Sequence, residues 1–256
     1  MRMVIGAFGD DAVIFGGGSA YVYDLSRATP TVPMATLSNP NGQFFDYFGS
    51  SVAISGTRLV VGANEDDTGA TDAGSAFVYD MSSATPTVPV ATLNNPSPAA
   101  QDYFGSSVAI SGTRVVVGIY QDDTGATDAG STYVYDLSSG TPTTPIATLN
   151  NPGPATDDNF GSSVATDGTM IAIGTPFDDT VTYDKGFAYV FGPPPVPDIS
   201  VAQAGPLTDG SGSIPFATTL GSSSAPLTFT IRNSGTAPLS GLSVTKNGTN
   251  AAEFSV

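Results

Sequence analysis

Phe48-Gly49-Ser50-Ser51-Val52-Ala53-Ile54-Ser55-Gly56-Thr57-Arg58 returns unchanged as Phe104-Gly105-Ser106-Ser107-Val108-Ala109-Ile110-Ser111-Gly112-Thr113-Arg114. A third copy opens Phe160-Gly161-Ser162-Ser163-Val164-Ala165. The step is 56 residues each time, and 42 of 56 positions agree between 48–103 and 104–159 with no insertion. Two glycine series keep the same step: Gly6, Gly62, Gly118, Gly174 and Gly18, Gly74, Gly130, Gly186. Self-similarity at a fixed period of this length marks a repeat architecture, in which a unit buries its apolar face against its neighbours.

Within one unit the pattern reads as four strands. Ser51–Ser55 alternates small and β-branched residues, and Gly56-Thr57 turns the chain. Leu59-Val60-Val61-Gly62 is a continuous apolar run, as in a strand buried on both faces. A polar loop from Glu65 to Gly74 precedes a third strand, Ala76-Phe77-Val78-Tyr79, and a fourth, Val88 to Leu93. This reading places Pro89, like Pro33 and Pro145, inside the fourth strand. Proline offers no ladder donor, so that strand is expected at an outer edge. Four antiparallel strands, innermost rich in small residues and outermost bearing proline, describe a propeller blade. The rival is a β-solenoid, whose shorter parallel coils need no paired hairpin turns. The phenylalanine of each Phe-Gly and tyrosines such as Tyr21 and Tyr23 are read as blade-to-blade core.

Composition narrows the chemistry. Apolar residues make up 40% of the chain and charged residues 12%, which suits a packed core rather than disorder. The 30 glycines and 20 prolines punctuate short apolar runs, an all-β signature. Cysteine and histidine are both absent. That excludes disulfides, thiolate nucleophiles, zinc-thiolate sites, imidazole bases and every histidine-dependent triad. Residues 1–192 hold 20 acids against Arg2, Arg27, Arg58, Arg114 and Lys185, most of the net charge of −16. A polyanion repels phosphate backbones, so nucleic acid is not expected as a partner. No run of about 20 apolar residues occurs, so no membrane span is expected.

Three motifs recur in order: Phe-Gly-Ser-Ser-Val-Ala-Ile-Ser-Gly, then Val-Val-Gly-Ala, then Gly-Ser-Ala-Phe-Val-Tyr. Together, over residues 3–191, they resemble the FG-GAP repeat of integrin α-subunit propellers and of many bacterial surface proteins. The Gly-Ala-Pro element of that family is complete in no copy, since it reads Gly62-Ala63-Asn64, Gly118-Ile119-Tyr120 and Gly174-Thr175-Pro176. The resemblance implies a β-propeller whose loop face meets ligands. In calcium-binding members an acidic loop precedes the second strand. Here that turn is Ser55-Gly56-Thr57, Ser111-Gly112-Thr113 and Asp167-Gly168-Thr169, too short and too poor in acid for calcium.

The acids lie elsewhere. In an antiparallel meander, the second-to-third loop and the linker to the next blade share a face. The loop carries Asp66, Asp67 and Asp72, then Asp122, Asp123 and Asp128, then Asp178 and Asp179. The linker carries Asp46, Asp102, and Asp157 with Asp158, so one rim is expected to be strongly acidic. Three carboxylates around a glycine turn offer the oxygens a hard cation takes, and these eight loop aspartates are the calcium candidates. Such calcium is expected to bind weakly, with Kd on the order of 10⁻⁴–10⁻³ M. The competing reading makes the same residues ordinary Asx turns or a solubility surface. A catalytic pair needs two unlike environments, and identical repetition in every blade argues for structure.

Pro193-Pro194-Pro195-Val196-Pro197 is a stiff linker and sets the boundary between residues 1–192 and 198–256. Beyond it Ile199–Val201, Ile214–Phe216 and Leu227–Ile231 alternate as strands, with Asn233-Ser234-Gly235 turning. Leu227–Gly235 and Gly248–Phe254 resemble the immunoglobulin-like choice-of-anchor D modules of bacterial secreted proteins, of which this stretch is an incomplete β-sandwich. The fold class is therefore all-β, a partial propeller of four-stranded antiparallel blades followed by part of a sandwich. About three and a quarter blades cannot close a ring that needs at least four. The chain is thus expected to be a fragment of a longer secreted protein, with further repeats and a signal peptide outside it. Function is expected to be non-enzymatic, extracellular adhesion or recognition, with a protein or glycan ligand on the acidic face. The alternatives are a polysaccharide-acting hydrolase or lyase and a purely structural spacer.

Overall fold

The computed structural model describes residues 1–179 and 185–192, and beyond these only the backbone of two short strands, 199–202 and 230–233. By contacts the chain divides into two compact units, Met1–Gly192 and Pro193–Val256. The described residues of the first unit form four antiparallel sheets. The first blade is β1 (Arg2–Ala7), β2 (Ser19–Asp24) and β3 (Ala35–Ser38). The second is β4 (Phe48–Ser55), β5 (Arg58–Ala63), β6 (Ser75–Asp80) and β7 (Ala91–Asn94). The third is β8 (Ser107–Ser111), β9 (Arg114–Ile119), β10 (Ser131–Asp136) and β11 (Ala147–Asn150). The fourth is β12 (Ser163–Thr166), β13 (Ile171–Thr175) and β14 (Phe187–Phe191). In every sheet the strands neighbour one another in chain order, so each is a simple meander.

The core lies between blades, not inside them. Leu59 and Val61 of β5 point back at Ala20, Val22 and Leu37 of the first blade. Their neighbour Val60 points forward into a second cluster with Val115, Val117 and Tyr135 of the third. This two-faced burial is why β5 and β9 are apolar throughout. Positions lacking a partner confirm the rule. Met3 and Ile5 stand where Leu59 and Val61 stand, one repeat earlier, and are 38% and 45% exposed. Val190 occupies the place of the buried Val78 and Val134 and is 63% exposed.

Each letter of Phe-Gly-Ser-Ser has a physical role at these interfaces. Phe48 pairs with Ala63 and Ser51 with Gly62, so Gly49-Ser50 loops out as a bulge. Gly49, Gly105 and Gly161 adopt φ of 92°, 85° and 92°, the left-handed region that glycine enters without a Cβ clash. The bulge swings the phenylalanine into the core, where Phe48, Phe104 and Phe160 are fully buried. Phe48 meets the rings of Phe77 at 5.7 Å and Tyr79 at 6.3 Å. The bulge also drives the glycine carbonyl into the preceding blade. There Ser51 Oγ donates to Gly105 O at 2.6 Å, and Ser107 Oγ to Gly161 O at 2.6 Å. Gly62 and Gly118 face these carbonyls, and a Cβ on either would overlap the carbonyl oxygen.

The fourth strand is shorter than its sequence suggests. β7 begins at Ala91, so Pro89 lies before it rather than within it, and Pro33 and Pro145 likewise precede β3 and β11. The residue after each proline makes the first cross-strand bond, as Val90 N–H to Val78 O at 2.7 Å. β7 and β11 still form the edge of their sheets. In the second unit β15 (Ile199–Ala202) pairs antiparallel with β16 (Thr230–Asn233). Asn233, expected to turn, instead ends that ladder opposite Ile199. The expected strand Ile214–Phe216 and the 193–197 linker lie outside the described residues. Among the described residues no helix is long and apolar enough to cross a membrane.

Gly118→Ala is expected to destabilise the first unit by about 3 kcal/mol, because neither backbone can retreat from the new Cβ. Gly140→Ala, where nothing lies within 4 Å, is expected to be neutral or stabilising by less than ~1 kcal/mol. Urea unfolding of the two variants separates these outcomes; equal midpoints would contradict the close approach.

Candidate functional site

The long loop of one blade and the linker into the next are laced together by main-chain bonds. Gln101, Tyr103 and Phe104 donate their N–H groups to the carbonyls of Thr71, Asp72 and Ala73 at 2.9, 3.1 and 2.9 Å. Asp157, Asn159 and Phe160 repeat this on Thr127, Asp128 and Ala129 at 2.9, 3.0 and 2.9 Å. To aim alternate amides at one neighbour the linker adopts positive φ at Gln101 (68°) and Tyr103 (60°), and again at Asp157 (66°) and Asn159 (59°). A tyrosine in this region is strained, and the cross-blade bonds hold it there. The loop and the linker therefore share one face, as the meander argument requires. The first-to-second turn and the third-to-fourth loop meet on the other, where Met81 N–H donates to Thr57 O at 2.8 Å.

Most loop carboxylates shape the loop itself. Asp66 is fully buried. Its Oδ1 accepts from Thr68 N–H at 2.9 Å and Ser75 Oγ at 3.0 Å, and its Oδ2 from Asn41 Nδ2 at 2.5 Å. Asp122 Oδ1 takes Thr124 N–H at 2.7 Å and Ser131 Oγ at 3.1 Å. Asp178, also buried, accepts from Tyr189 Oη at 2.6 Å. The second aspartate closes the far end of the loop: Asp67 Oδ1 accepts from Asp72 N–H at 2.9 Å, and Asp123 Oδ1 from Asp128 N–H at 3.0 Å. Asp72 and Asp128 sit at φ of 54° and 52°, and glycine, Gly16 at 65°, holds that place in the first blade. Asp67, Asp123 and Asp179 are exposed on the rim.

The eight calcium candidates thus fall into three environments: buried Asp66, Asp122 and Asp178, exposed Asp67, Asp123 and Asp179, and half-buried Asp72 and Asp128. Among the described residues no three acidic side chains converge in a metal-holding group. Burial, then the neighbouring Asp67 charge, raises the Asp72 carboxyl above its ordinary range, and Asp128 rises in the same way beside Asp123 and Asp157.

One set of residues escaped the sequence reading, and a second is placed differently from what it led one to expect. Asp10 and Asp11 precede Asp66 and Asp67 by one repeat and act alike, Asp10 accepting from Tyr21 Oη at 2.5 Å and Asp11 from Gly16 N–H at 2.7 Å. The 56-residue step alone would have found them. The linker acids Asp46, Asp102 and Asp158 are buried at 1%, 3% and 1% exposure, not displayed on the rim. Each accepts from an asparagine seven residues earlier, Asn39, Asn95 and Asn151. Burial, and next the charge of Asp66, pushes the Asp46 carboxyl up to about 6. Burial raises Asp102 too, against the amide of Ala99 and the side chain of Asn95. The opposite rim carries aspartates too, but there Arg27 and Arg58 pair with Asp24 and Asp80 at 3.9 Å and Arg114 acts on Asp136. Asp136 is lowered to about 2 by the hydroxyl and amide of Ser138, and Asp80 is lowered in the same way by Ser82.

Four-stranded meanders packed face to face through a Phe-Gly bulge define a partial β-propeller. The FG-GAP repeat family matches residues 32–79, 89–135 and 144–191. The chain belongs to that family. No curated protein matches it. Among solved structures, the crystal structure of the computationally designed Ika8 protein is similar over 75% of this chain, at 13% identity and a TM-score of 0.42. The match spans 43% of that protein, less than half its length.

The buried linker acids set a pH dependence. Because the folded-state pKa of Asp46 and Asp102 is raised, the folded chain binds more protons than the unfolded one between pH ~4 and ~6. Stability therefore rises as pH falls through that window. The lowered groups Asp80 and Asp136 act oppositely, and their contribution is lost only below pH ~4. In metal-free buffer Tm is expected to be higher at pH 5 than at pH 7.5, and Asp46→Asn is expected to shrink the difference. A Tm that only falls on acidification would contradict this.

Proposed function

We propose that this chain is a non-enzymatic, extracellular recognition or adhesion scaffold that presents its acidic loop face to a protein or glycan ligand. One observation carries the reading: the carboxylates recur in the same environment from blade to blade. Asp66 and Asp122 each bind the amide two residues on and the serine nine residues on. An acid–base pair needs two carboxyls held in unlike surroundings, whereas a binding face gains from repetition. Membership of the FG-GAP family supports the same reading, since such repeats serve adhesion and recognition proteins at cell surfaces. The exposed Asp67, Asp123 and Asp179 are the charges that a ligand would meet first.

Replacing these three by asparagine removes charge while leaving an Oδ1 to cap the loop. The chain, applied to protein and glycan arrays, is expected to bind a ligand that the triple variant loses, with unchanged Tm. On a polysaccharide panel no products are expected. Turnover abolished by changing the acids of a single blade would establish a hydrolase or lyase instead, and silence on every array would leave a structural spacer.

A further inference from the structure

Each blade from the second to the fourth buries two carboxylates at matching positions of the repeat. In the second they are Asp46 on the incoming linker, 1% exposed, and Asp66 at the start of the long loop, 0% exposed. The repeat copies them as Asp102 with Asp122, at 3% and 4%, and Asp158 with Asp178, at 1% and 0%. Linker and loop run side by side within the blade: Glu65 N–H donates to Asp46 O at 3.4 Å, and Asn41 Nδ2 reaches across to Asp66 Oδ2 at 2.5 Å. The two carboxylates lie close enough for the charge of Asp66 to act on Asp46, and that of Asp122 on Asp102.

The hydrogen bonds do not complete these sites. Asp46 Oδ2 accepts from Asn39, but its Oδ1 is buried with no partner. The fourth blade repeats the defect. Asp158 Oδ2 takes Asn151 Nδ2 and Ala155 N–H, both at 2.7 Å, while its Oδ1 is buried and unpaired. The ion pairs formed among the described residues, Arg27–Asp24 and Arg58–Asp80, lie on the opposite face. Two buried anions in one blade, with an oxygen left open in the second and fourth blades, call for a positive charge between them.

We propose that the Asp46–Asp66 pair and its copies Asp102–Asp122 and Asp158–Asp178 each hold a hard divalent cation, calcium by preference, between the linker and the long loop of one blade. The donors are all oxygens. Two carboxylates balance the charge of one calcium ion, and main-chain carbonyls and water complete the six to eight ligands that it takes. Magnesium, which keeps its water and demands a strict octahedron, suits such a shell less well. The site differs from the Asp67–Asp72 grouping suggested by the loop sequence, whose carboxylates are exposed and half-buried and so remain hydrated without an ion. An ion here would tie linker to loop at the point where the chain enters each blade, independently of any ligand on the rim.

The test uses the whole chain, stripped with EDTA and returned to metal-free buffer at pH 7.5. Calcium is expected to raise Tm saturably, beyond sodium chloride of equal ionic strength and beyond magnesium. Tyrosine-sensitised terbium emission provides a direct readout, because Tyr189 Oη bonds Asp178 at 2.6 Å and Tyr133 feels the charges of Asp122 and Asp102. Three ions per chain are expected, displaced by calcium, and Asp102→Asn is expected to leave two. The triple variant Asp46→Asn, Asp102→Asn, Asp158→Asn is expected to bind terbium at least ~10-fold more weakly. Asp72→Asn with Asp128→Asn should change affinity less than ~2-fold. Should the triple variant fail to fold, the stoichiometry of Asp102→Asn decides alone. Equal Tm in calcium and sodium, or three ions still bound by Asp102→Asn, would overturn the proposal. A metal-indifferent Tm that rises only on acidification would assign the pair a shared proton instead.

Discussion

A glycine carbonyl seated against a glycine of the neighbouring blade sets the geometry of this repeat. Gly105 O accepts from Ser51 Oγ at 2.6 Å and lies over Gly62, which has no side chain to exclude it. That approach is possible because Gly105 adopts φ of 85° and pushes its peptide out of the ladder. The same bulge turns Phe104 inward against Tyr133 and Tyr135. One backbone distortion therefore supplies both the polar and the apolar halves of the interface. It also explains why a blade is not a self-sufficient unit: its two-faced strands expose Met3, Ile5 or Val190 wherever no neighbouring blade covers them.

The acidic face follows from this lacing. Loop and linker must lie side by side so that the Phe104 and Phe160 amides reach Ala73 and Ala129. Their remaining amides and hydroxyls need acceptors, and aspartates at fixed positions provide them. The first aspartate of each loop is consumed in this way, the second caps an amide while staying exposed, and the linker aspartate is buried beside the first. Charge is thus graded from the interior to the rim, which separates structural carboxylates from those available to a ligand.

Much of this was legible in the residues. The 56-residue step, the continuous apolar second strand and the paired turns define blades, and the Phe-Gly core and the shared face of loop and linker follow from them. Strand limits were less readable. Pro89 suggested a strand already under way, yet the ladder starts just beyond it, because Val88 N–H is taken by Thr85 O at 3.0 Å, Pro89 has no N–H, and Val90 is the first to reach the neighbouring strand. The linker acids were read as rim charges because one aspartate looks like another in a polar stretch. Only the asparagine seven residues earlier, kept at 39, 95 and 151, hinted that Asp46, Asp102 and Asp158 are bonded and buried. Burial of a carboxylate depends on packing between elements far apart in sequence, which periodicity does not encode.

Native-state hydrogen exchange tests the central claim most directly. If the bulge and its cross-blade bonds couple the blades, the Phe104 and Phe160 amides should open only with the interior strands β5 and β9, sharing their free energy of exchange and their denaturant dependence. Exchange of Phe104 and Phe160 at the rates of exposed loop amides, with β5 and β9 still protected, would contradict it.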